Sequence, residues 1–370
     1  MRPDDARHMH RALELGRRGI GNTWPNPAVG CVIVNGDVVV GEGWTQPSGR
    51  PHAETEALEQ AGEAARGGTA YVTLEPCSHH GLTPPCTNAL IAAGIVRVVA
   101  PFSDIDPRVS GQGFDHLRAA GVEVVTGVCA DDAADDHAGF FCRIETGRPS
   151  LTLKLATSLD GRIATASGDS QWITGAETRA FVHRLRATHD AVMVGAGTVR
   201  ADDPLLTVRG FDVPRQPVRI VVSRKLDFPV DGNLARTLDI APLWLCHADD
   251  APDDLREAWT TRGAKLIRVP LQGRQVEIPA LMQALGAQGL TRVFCEGGGE
   301  LAASLLSADV VDQLDLHMGG VVIGAEGRPA LGALGLDRLS EAPRFALKSV
   351  RQSGDDVVQS WMRQRRQSDA

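Results

Sequence analysis

The sequence has little of what is expected of a chain carried into or through a membrane by an apolar helix. No apolar run approaches the roughly 18 residues a spanning helix requires. The opening stretch "MRPDDARHMHRALELGRRG" is charged and helical in pattern, with no apolar centre of the kind a secretory leader has. A disulfide framework is also missing. The seven cysteines are odd in number and scattered, which points to a reducing cytoplasm. Nor is there an excess of positive charge: the formal net charge of −8 argues against long nucleic acid as a partner. Small anionic ligands stay open, because a local basic pocket can oppose the global sign. No short-period repeat or low-complexity tract is present. What remains is a 370-residue chain of ordinary globular composition, long enough for two domains.

The clearest change of composition is "TGVCADDAADDHAGFFCRIETGRPS", residues 126–150, which holds four Asp in six residues. Such a run is expected to be a solvated helix face. A Gly-Arg-Pro then precedes a new apolar strand, so the expected domains are 1–146 and 147–365. Before the boundary the pattern reads helix, hairpin, helix, strand, helix, strand. Asn35-Gly36 is the expected hairpin turn between "AVGCVIV" and "VVVGEGW". After the boundary the alternation restarts with "LTLKLA", the helix "AETRAFVHRLRAT" and "AVMVGAG". Thr174 and Glu177 have the spacing of a capping box for that helix. Strands "VRIVVS", "PLWLCHA", "AKLIRV" and "TRVFCEGGG" follow, with helices "IPALMQALGAQG" and "ELAASLLS". Both halves read as α/β units.

Chemistry concentrates in "PHAETEAL", from Pro51, and "EPCSHHGLTPPC", from Glu75. Zinc favours Cys thiolates and His nitrogen, and a catalytic zinc keeps one position open for water. His52, Cys77 and Cys86 supply three such ligands. Cys77 falls just past a strand end, where helix N-terminal amides favour its thiolate. Glu54 is too close to His52 to be an obvious fourth ligand, and a carboxylate there can carry a proton from water to a leaving amine. A closed structural site would want a fourth ligand, which His79 or His80 could provide, but it leaves Glu54 without a task. Cys31 and Cys295 sit in apolar strands and read as core residues. Cys129, Cys142 and Cys246 show no partner pattern.

In the second half, "EGGG" ends a strand and opens a helix, so Gly298 and Gly299 can let backbone amides approach a pyrophosphate. A plain tight turn explains the same glycines about as well. Gly195 and Gly197 make a second such turn. Arg179, His183 and Arg186 share one helical face. Arg224 and Lys225 follow "VRIVVS", where a cation could meet the 2′-phosphate that distinguishes NADPH.

His-Ala-Glu followed by Pro-Cys and a second Cys resembles the zinc-dependent nucleobase deaminase superfamily. The eight residues "SHHGLTPP" between the cysteines exceed the two usual in nucleic-acid editing members, and are similar to the pyrimidine deaminases of riboflavin biosynthesis. "TWPNPAVGCVIV" matches that family's early motif. "LKLATSLDGRIA", "HRLRATHDAVMVGAGTVRADDPLLTVR" and "EGGGELAASLL" resemble the reductase half of the same pathway. Taken together, almost the whole chain resembles the bifunctional riboflavin-biosynthesis deaminase-reductases.

That resemblance implies an N-terminal cytidine-deaminase-like α/β/α domain followed by a dihydrofolate-reductase-like α/β domain. It implies one zinc per chain on His52, Cys77 and Cys86, with Glu54 catalytic. It places Asn26 and His79 on the deaminase substrate. Ala156, Trp172, Thr198, Asp202, Ser223, Arg224, Gly298 and Gly299 would bind NADPH. Lys154, Ser170, Arg186, Leu206, Arg209 and Glu296 would bind the reductase substrate, with Arg186 and Arg209 toward its phosphate. The implied reactions are hydrolytic deamination of 2,5-diamino-6-(5-phosphoribosylamino)pyrimidin-4-one, then NADPH-dependent reduction of the ribosyl group to ribityl. The implied partner is that small phosphoribosyl-pyrimidine, with no nucleic acid and no membrane, in a homo-oligomer of two or more chains. Thr45, Leu82 and Asp106 depart from the family pattern, which has His, a cation and Asn there.

Overall fold

Alternation along β1 (Gly30–Asn35) organises the first half of the chain. Cys31 and Ile33 face one apolar layer, and Val32 and Val34 face the other. A strand buried on both sides needs helices on both sides. The computed structural model describes residues 2–79, 84–107 and 109–364, and the chain divides into two compact units after Gly147.

In the first unit β1 turns back into β2 (Val38–Trp44). Asn35 pairs with Val38, so the turn residues are Gly36, at φ +60°, and Asp37, one position later than the sequence signal implies. The Asn35 amide instead donates to the carbonyls of Ala64 and Arg66. β3 (Thr69–Val72) runs antiparallel to β1, and β4 (Arg97–Ala100) and β5 (Glu123–Thr126) continue in parallel, giving the order β2-β1-β3-β4-β5. α1 (Asp5–Arg17) packs Met9, Ala12 and Leu13 on Val32, Val34 and Tyr71. α2 (Ala53–Ala61), α3 (Cys86–Ala92) and α4 (Gln112–Ala119) cover the other face with Ala53, Ala57, Leu90, Phe114 and Leu117. The sequence pattern does not single out α4 or β5.

α5 (Ala130–Thr146) carries the acidic run, and that run is not simply solvated. Asp136 pairs with Arg17 at 2.9 Å and Asp132 with His10 at 3.1 Å, fastening α5 to α1. A buried pair fastens α1 to the sheet. Arg97 on β4 donates to both Asp5 oxygens at 2.8 and 2.9 Å, and the Tyr71 hydroxyl adds a third bond at 3.0 Å. The Arg97 guanidinium holds the Asp5 carboxyl far below the usual carboxylate range.

The second unit is built on one sheet of nine strands. Seven are mutually parallel: β6 (Ser150–Thr157), β8 (Ala191–Gly195), β9 (Val218–Val222), β10 (Leu243–His247), β11 (Lys265–Arg268), β14 (Arg292–Cys295) and β15 (Gln313–Met318). β17 (Phe345–Ser353) and β18 (Asp356–Arg363) add an antiparallel hairpin at one edge, giving the order β11-β10-β9-β8-β14-β6-β15-β18-β17. Two-stranded ribbons pair β7 (Arg162–Ala164) with β16 (Arg328–Pro329), and β12 (Leu271–Gln272) with β13 (Gln275–Val276). The helices are α6 (Ala176–Ala187), α7 (Ala196–Asp202), α8 (Asn233–Arg236), α9 (Asp253–Thr261), α10 (Ile278–Ala287) and α11 (Gly299–Ser307).

α6 does not use the expected capping box. Its N-cap is Gly175, whose N–H donates to Asp356 on β18 at 2.7 Å. Thr174 lies one residue early, and its carbonyl accepts from Arg179. The helix start is satisfied from across the sheet, so a local hydroxyl is unnecessary. No described helix is long and apolar enough to cross a membrane.

Candidate active sites

In the first unit, His52 is the N-cap of α2, Cys77 follows β3, and Cys86 opens α3. Two close approaches set this arrangement. A Cβ on Gly43 would sit 2.3 Å from the Ala53 carbonyl oxygen, and one on Gly41 would sit 2.1 Å from that of Ala57. β2 therefore needs glycine at both places for α2 to lie on it. Glu75 does comparable work on the other side. Its carboxylate accepts four backbone N–H groups, from Asp104, Gly111, Gly113 and Phe114, at 2.8–3.2 Å. Two of those donors belong to the first turn of α4, where an anion is favoured. Glu75 thus pins Asp104, Gly111, Gly113 and Phe114, with Gly113 against the Pro76 carbonyl that precedes Cys77. No sequence signal assigns it that role.

The ligand atoms of His52, Cys77 and Cys86 all lie within 4.8 Å of one another. His52 Nδ1 is 3.3 Å from Cys86 Sγ and 3.7 Å from Cys77 Sγ. The Cys86 backbone N–H, at the start of α3, donates to Cys77 Sγ at 3.4 Å. The Cys86 thiol, helped by His52 and that amide, holds Cys77 down to about 4, making it the thiolate of the pair. The Cys86 thiol is pushed up in return. Two sulfurs and one imidazole nitrogen converging in this way fit zinc, and the described group holds three ligands and no fourth. Glu54 is buried on the first turn of α2. Burial first, then the Cys77 thiolate, raises its carboxyl above the ordinary range.

Asn26 is half-buried and donates to the Gly49 carbonyl at 3.0 Å, fixing the loop that leads into His52. The imidazole Nδ1 of His79 is buried with no partner among the described residues. His80 and Leu82 lie outside the described residues. Thr45 is buried, and its hydroxyl accepts the Val29 N–H at 3.0 Å, so it is spent inside the fold. Asp106 is buried in a turn, its own N–H donated to Asp104.

In the second unit a cleft of about 1270 Å³ opens over the C-terminal ends of β6, β14, β8 and β9. Ligands of open α/β sheets bind at such strand ends. Every second-half residue assigned by resemblance lines it: Lys154 and Ala156 from β6, Ser170 and Trp172, Arg186 from α6, Thr198 and Asp202 from α7, Leu206 and Arg209, Ser223 and Arg224 after β9, and Glu296, Gly298 and Gly299 after β14. Lys225 is not among the lining residues.

Three charged groups order one end of this cleft. Arg186 grips both oxygens of Glu296 and donates to the Thr207 carbonyl at 2.8 Å. Much of its fork is therefore engaged within the protein, whereas the exposed Arg209 guanidinium has no partner among the described residues. Burial raises the proton affinity of Glu296, but Arg186 and then Lys154 outweigh it and keep the carboxyl below its ordinary range. Burial lowers that of Lys154. Gly298, at φ +90°, would put a Cβ 3.0 Å from Thr198 Oγ1, so glycine keeps the approach to α11 open. This open glycine turn, with α11 amides behind it, fits a dinucleotide pyrophosphate. Trp172 is 67% exposed at the rim, with the Arg179 guanidinium 4.4 Å from its ring centroid. Arg224, expected as a free cation, is clamped by Asp250 at 2.6–3.2 Å.

Three converging metal-ligating side chains in one unit and a glycine-lined cleft at strand ends in the other fit the arrangement of a deaminase joined to a reductase. Residues 2–101 match the family described as the cytidine and deoxycytidylate deaminase zinc-binding region, and residues 149–359 match the RibD C-terminal domain. The Riboflavin biosynthesis protein RibD of Escherichia coli is 43% identical over 366 residues, covering 95% of this chain and 98% of its own. That of Aquifex aeolicus is 37% identical over 358 residues, covering 97% and 98%. The solved structure of Acinetobacter baumannii RibD superposes with a TM-score of 0.87 at 36% identity, covering 98% of this chain and 99% of its own. A Thermotoga maritima structure, named a diaminohydroxyphosphoribosylaminopyrimidine deaminase/5-amino-6-(5-phosphoribosylamino)uracil reductase, gives 0.85 at 32%, covering 97% and 98%. The chain belongs to the RibD family of bifunctional riboflavin-biosynthesis enzymes, with a cytidine-deaminase-like N-terminal domain and a RibD-type reductase domain.

Proposed function

We propose that the first unit deaminates 2,5-diamino-6-(5-phosphoribosylamino)pyrimidin-4-one and that the second reduces the ribosyl group of the product to ribityl. The observation that carries the first half is the buried Glu54 beside a three-ligand group. His52, Cys77 and Cys86 would hold zinc, which supplies a Lewis acid that lowers the pKa of a water. Glu54 has the raised proton affinity suited to taking a proton and returning it to a leaving amine. Asn26 and His79 would orient the pyrimidine. NADPH supplies the hydride in the second unit. Gly298 and Gly299 would seat its pyrophosphate. Glu296, held by Arg186 and Lys154, would bind ribosyl hydroxyls, and Arg209 the phosphate.

The free cysteines support a cytoplasmic setting. A homo-oligomer is part of the same reading. The outer edge of β17 has no paired strand among the described residues and shows Leu347 and Val350, a surface that a second copy could cover. Sedimentation at equilibrium tests this, and a strict monomer would refute it. The activity test supplies the purified protein with the diaminopyrimidine phosphate, with and without NADPH, and identifies products by mass. Ammonia and the corresponding uracil are expected without NADPH, and the ribitylamino product with it. Unaltered substrate in both arms would refute the reading.

A further inference from the structure

The strands under the cleft stand in the order β9-β8-β14-β6. Three strand spacings separate the Lys154 end from the Ser223 end, about 14 Å along the sheet edge. The glycine turn of α11 lies between them, so a dinucleotide seated on it with its reactive ring beside Glu296 and Lys154 would extend its adenosine toward β9. The charges near β9 then decide which dinucleotide is accepted.

Three cations line that end: Arg200, Arg224 and Arg274. Arg200 pairs with Asp227 at 3.1 Å. Arg224 is held by Asp250 through Nε and Nη2, and its Nη1 donates to the Arg274 carbonyl at 3.2 Å. Each of these two charges is already matched by a carboxylate. Arg274 differs. It occupies the turn between β12 and β13, is exposed, and its guanidinium has no partner among the described residues. A phosphate arriving here would meet two neutralised pairs and one unmatched cation. The Arg224 bond to its carbonyl holds that turn at the cleft.

We propose that Arg274 is the residue that selects a 2′-phosphorylated dinucleotide, and that Arg224 acts as a brace for its turn. This rests on the reading of the cleft as an NADPH site. A guanidinium can meet two phosphate oxygens at once, and its interaction is charge-assisted. A cofactor without the 2′-phosphate has nothing for it to bind.

The test titrates the full-length protein with NADP⁺, NAD⁺ and adenosine 2′,5′-bisphosphate by calorimetry, which needs no turnover. Arg274→Ala is expected to weaken NADP⁺ and the bisphosphate about tenfold while NAD⁺ stays within about twofold, and Arg274→Lys to recover part of the loss. An unchanged melting temperature shows that the exposed turn tolerates the change. Equal losses for NAD⁺ and NADP⁺, or no loss, would overturn the assignment. So would a selective loss confined to the Lys225→Ala variant. If the unmodified protein binds neither dinucleotide, the cofactor reading fails first and the role of Arg274 falls with it.

Discussion

Replacing Glu75 by Gln is the sharpest test of how the first site is held. The Glu75 carboxylate accepts four backbone N–H groups, two on each oxygen. Gln keeps one oxygen and turns an NH₂ toward the other two donors, leaving them buried and opposed by hydrogens. Each bond to a charged acceptor contributes about 1.5–3 kcal/mol, so losing two costs about 3–5 kcal/mol after relaxation. At about 2–4 °C per kcal/mol for a unit of this size, the melting temperature of the first unit should fall by about 10 °C. Scanning calorimetry of the full chain measures this, with the first unit's transition identified as the one a zinc chelator lowers. The second unit's transition should stay in place. A shift of the first transition below about 2 °C would show that the four bonds do not hold Asp104 and the start of α4 in place.

Cys77→Ser and Cys86→Ser should each strip the proposed zinc, because one of three protein ligands is lost; unchanged zinc by elemental analysis would contradict the ligand set. Glu54→Gln should keep the metal and abolish ammonia release, while reduction of the deaminated substrate survives; normal deamination would remove the proton-carrying role. Asp5→Asn should destabilise the first unit by about 3 kcal/mol, since buried Arg97 loses its two-pronged carboxylate partner and keeps only the half-exposed Glu123 at 3.3 Å. The Asp5 pKa is depressed in the fold, so its contribution is complete above the unfolded value near 4 and fades as pH falls below it. Acid unfolding of Asp5→Asn should therefore be less steep in that range, and an unaltered profile would argue against it.

Short-range chemistry is legible in the order of the amino acids alone. His52 and Glu54 stand two apart at a helix start, and Cys77 and Cys86 flank one loop, so spacing by itself brings the chemical types together. The strand-to-helix glycines at 195 and 298 are legible for the same reason. Long-range partners are not. Glu75 finds its donors 29–39 residues downstream in a segment without period, and Arg186 finds Glu296 110 residues on. Arg274 gives no signal because a lone Arg in a turn reads as solvated. The box at Thr174 and Glu177 has the right spacing, but Asp356 reaches the helix start instead. The antiparallel pair β17 and β18 escapes the pattern because β17 is exposed along most of its length and shows little buried alternation.

The position of β6 bears on how the protein is made. It is the first strand of the second unit, yet its neighbours on both sides are β14 and β15, with Ser150 paired to Arg292 and Thr152 to Gln313. The first unit has its last strand by Thr126 and its last helix by Thr146. On the ribosome the first unit can close while the second is still being synthesised, whereas β6 waits with both edges open until β14 has emerged at residue 295, and with one edge open until residue 318. Non-local pairing of this kind is slow and leaves an apolar strand exposed in the interval. Stalling or truncation between residues 157 and 292 would leave a finished N-terminal domain tethered to an adhesive strand. Demand for chaperones should therefore peak late in translation, well after the first domain has closed.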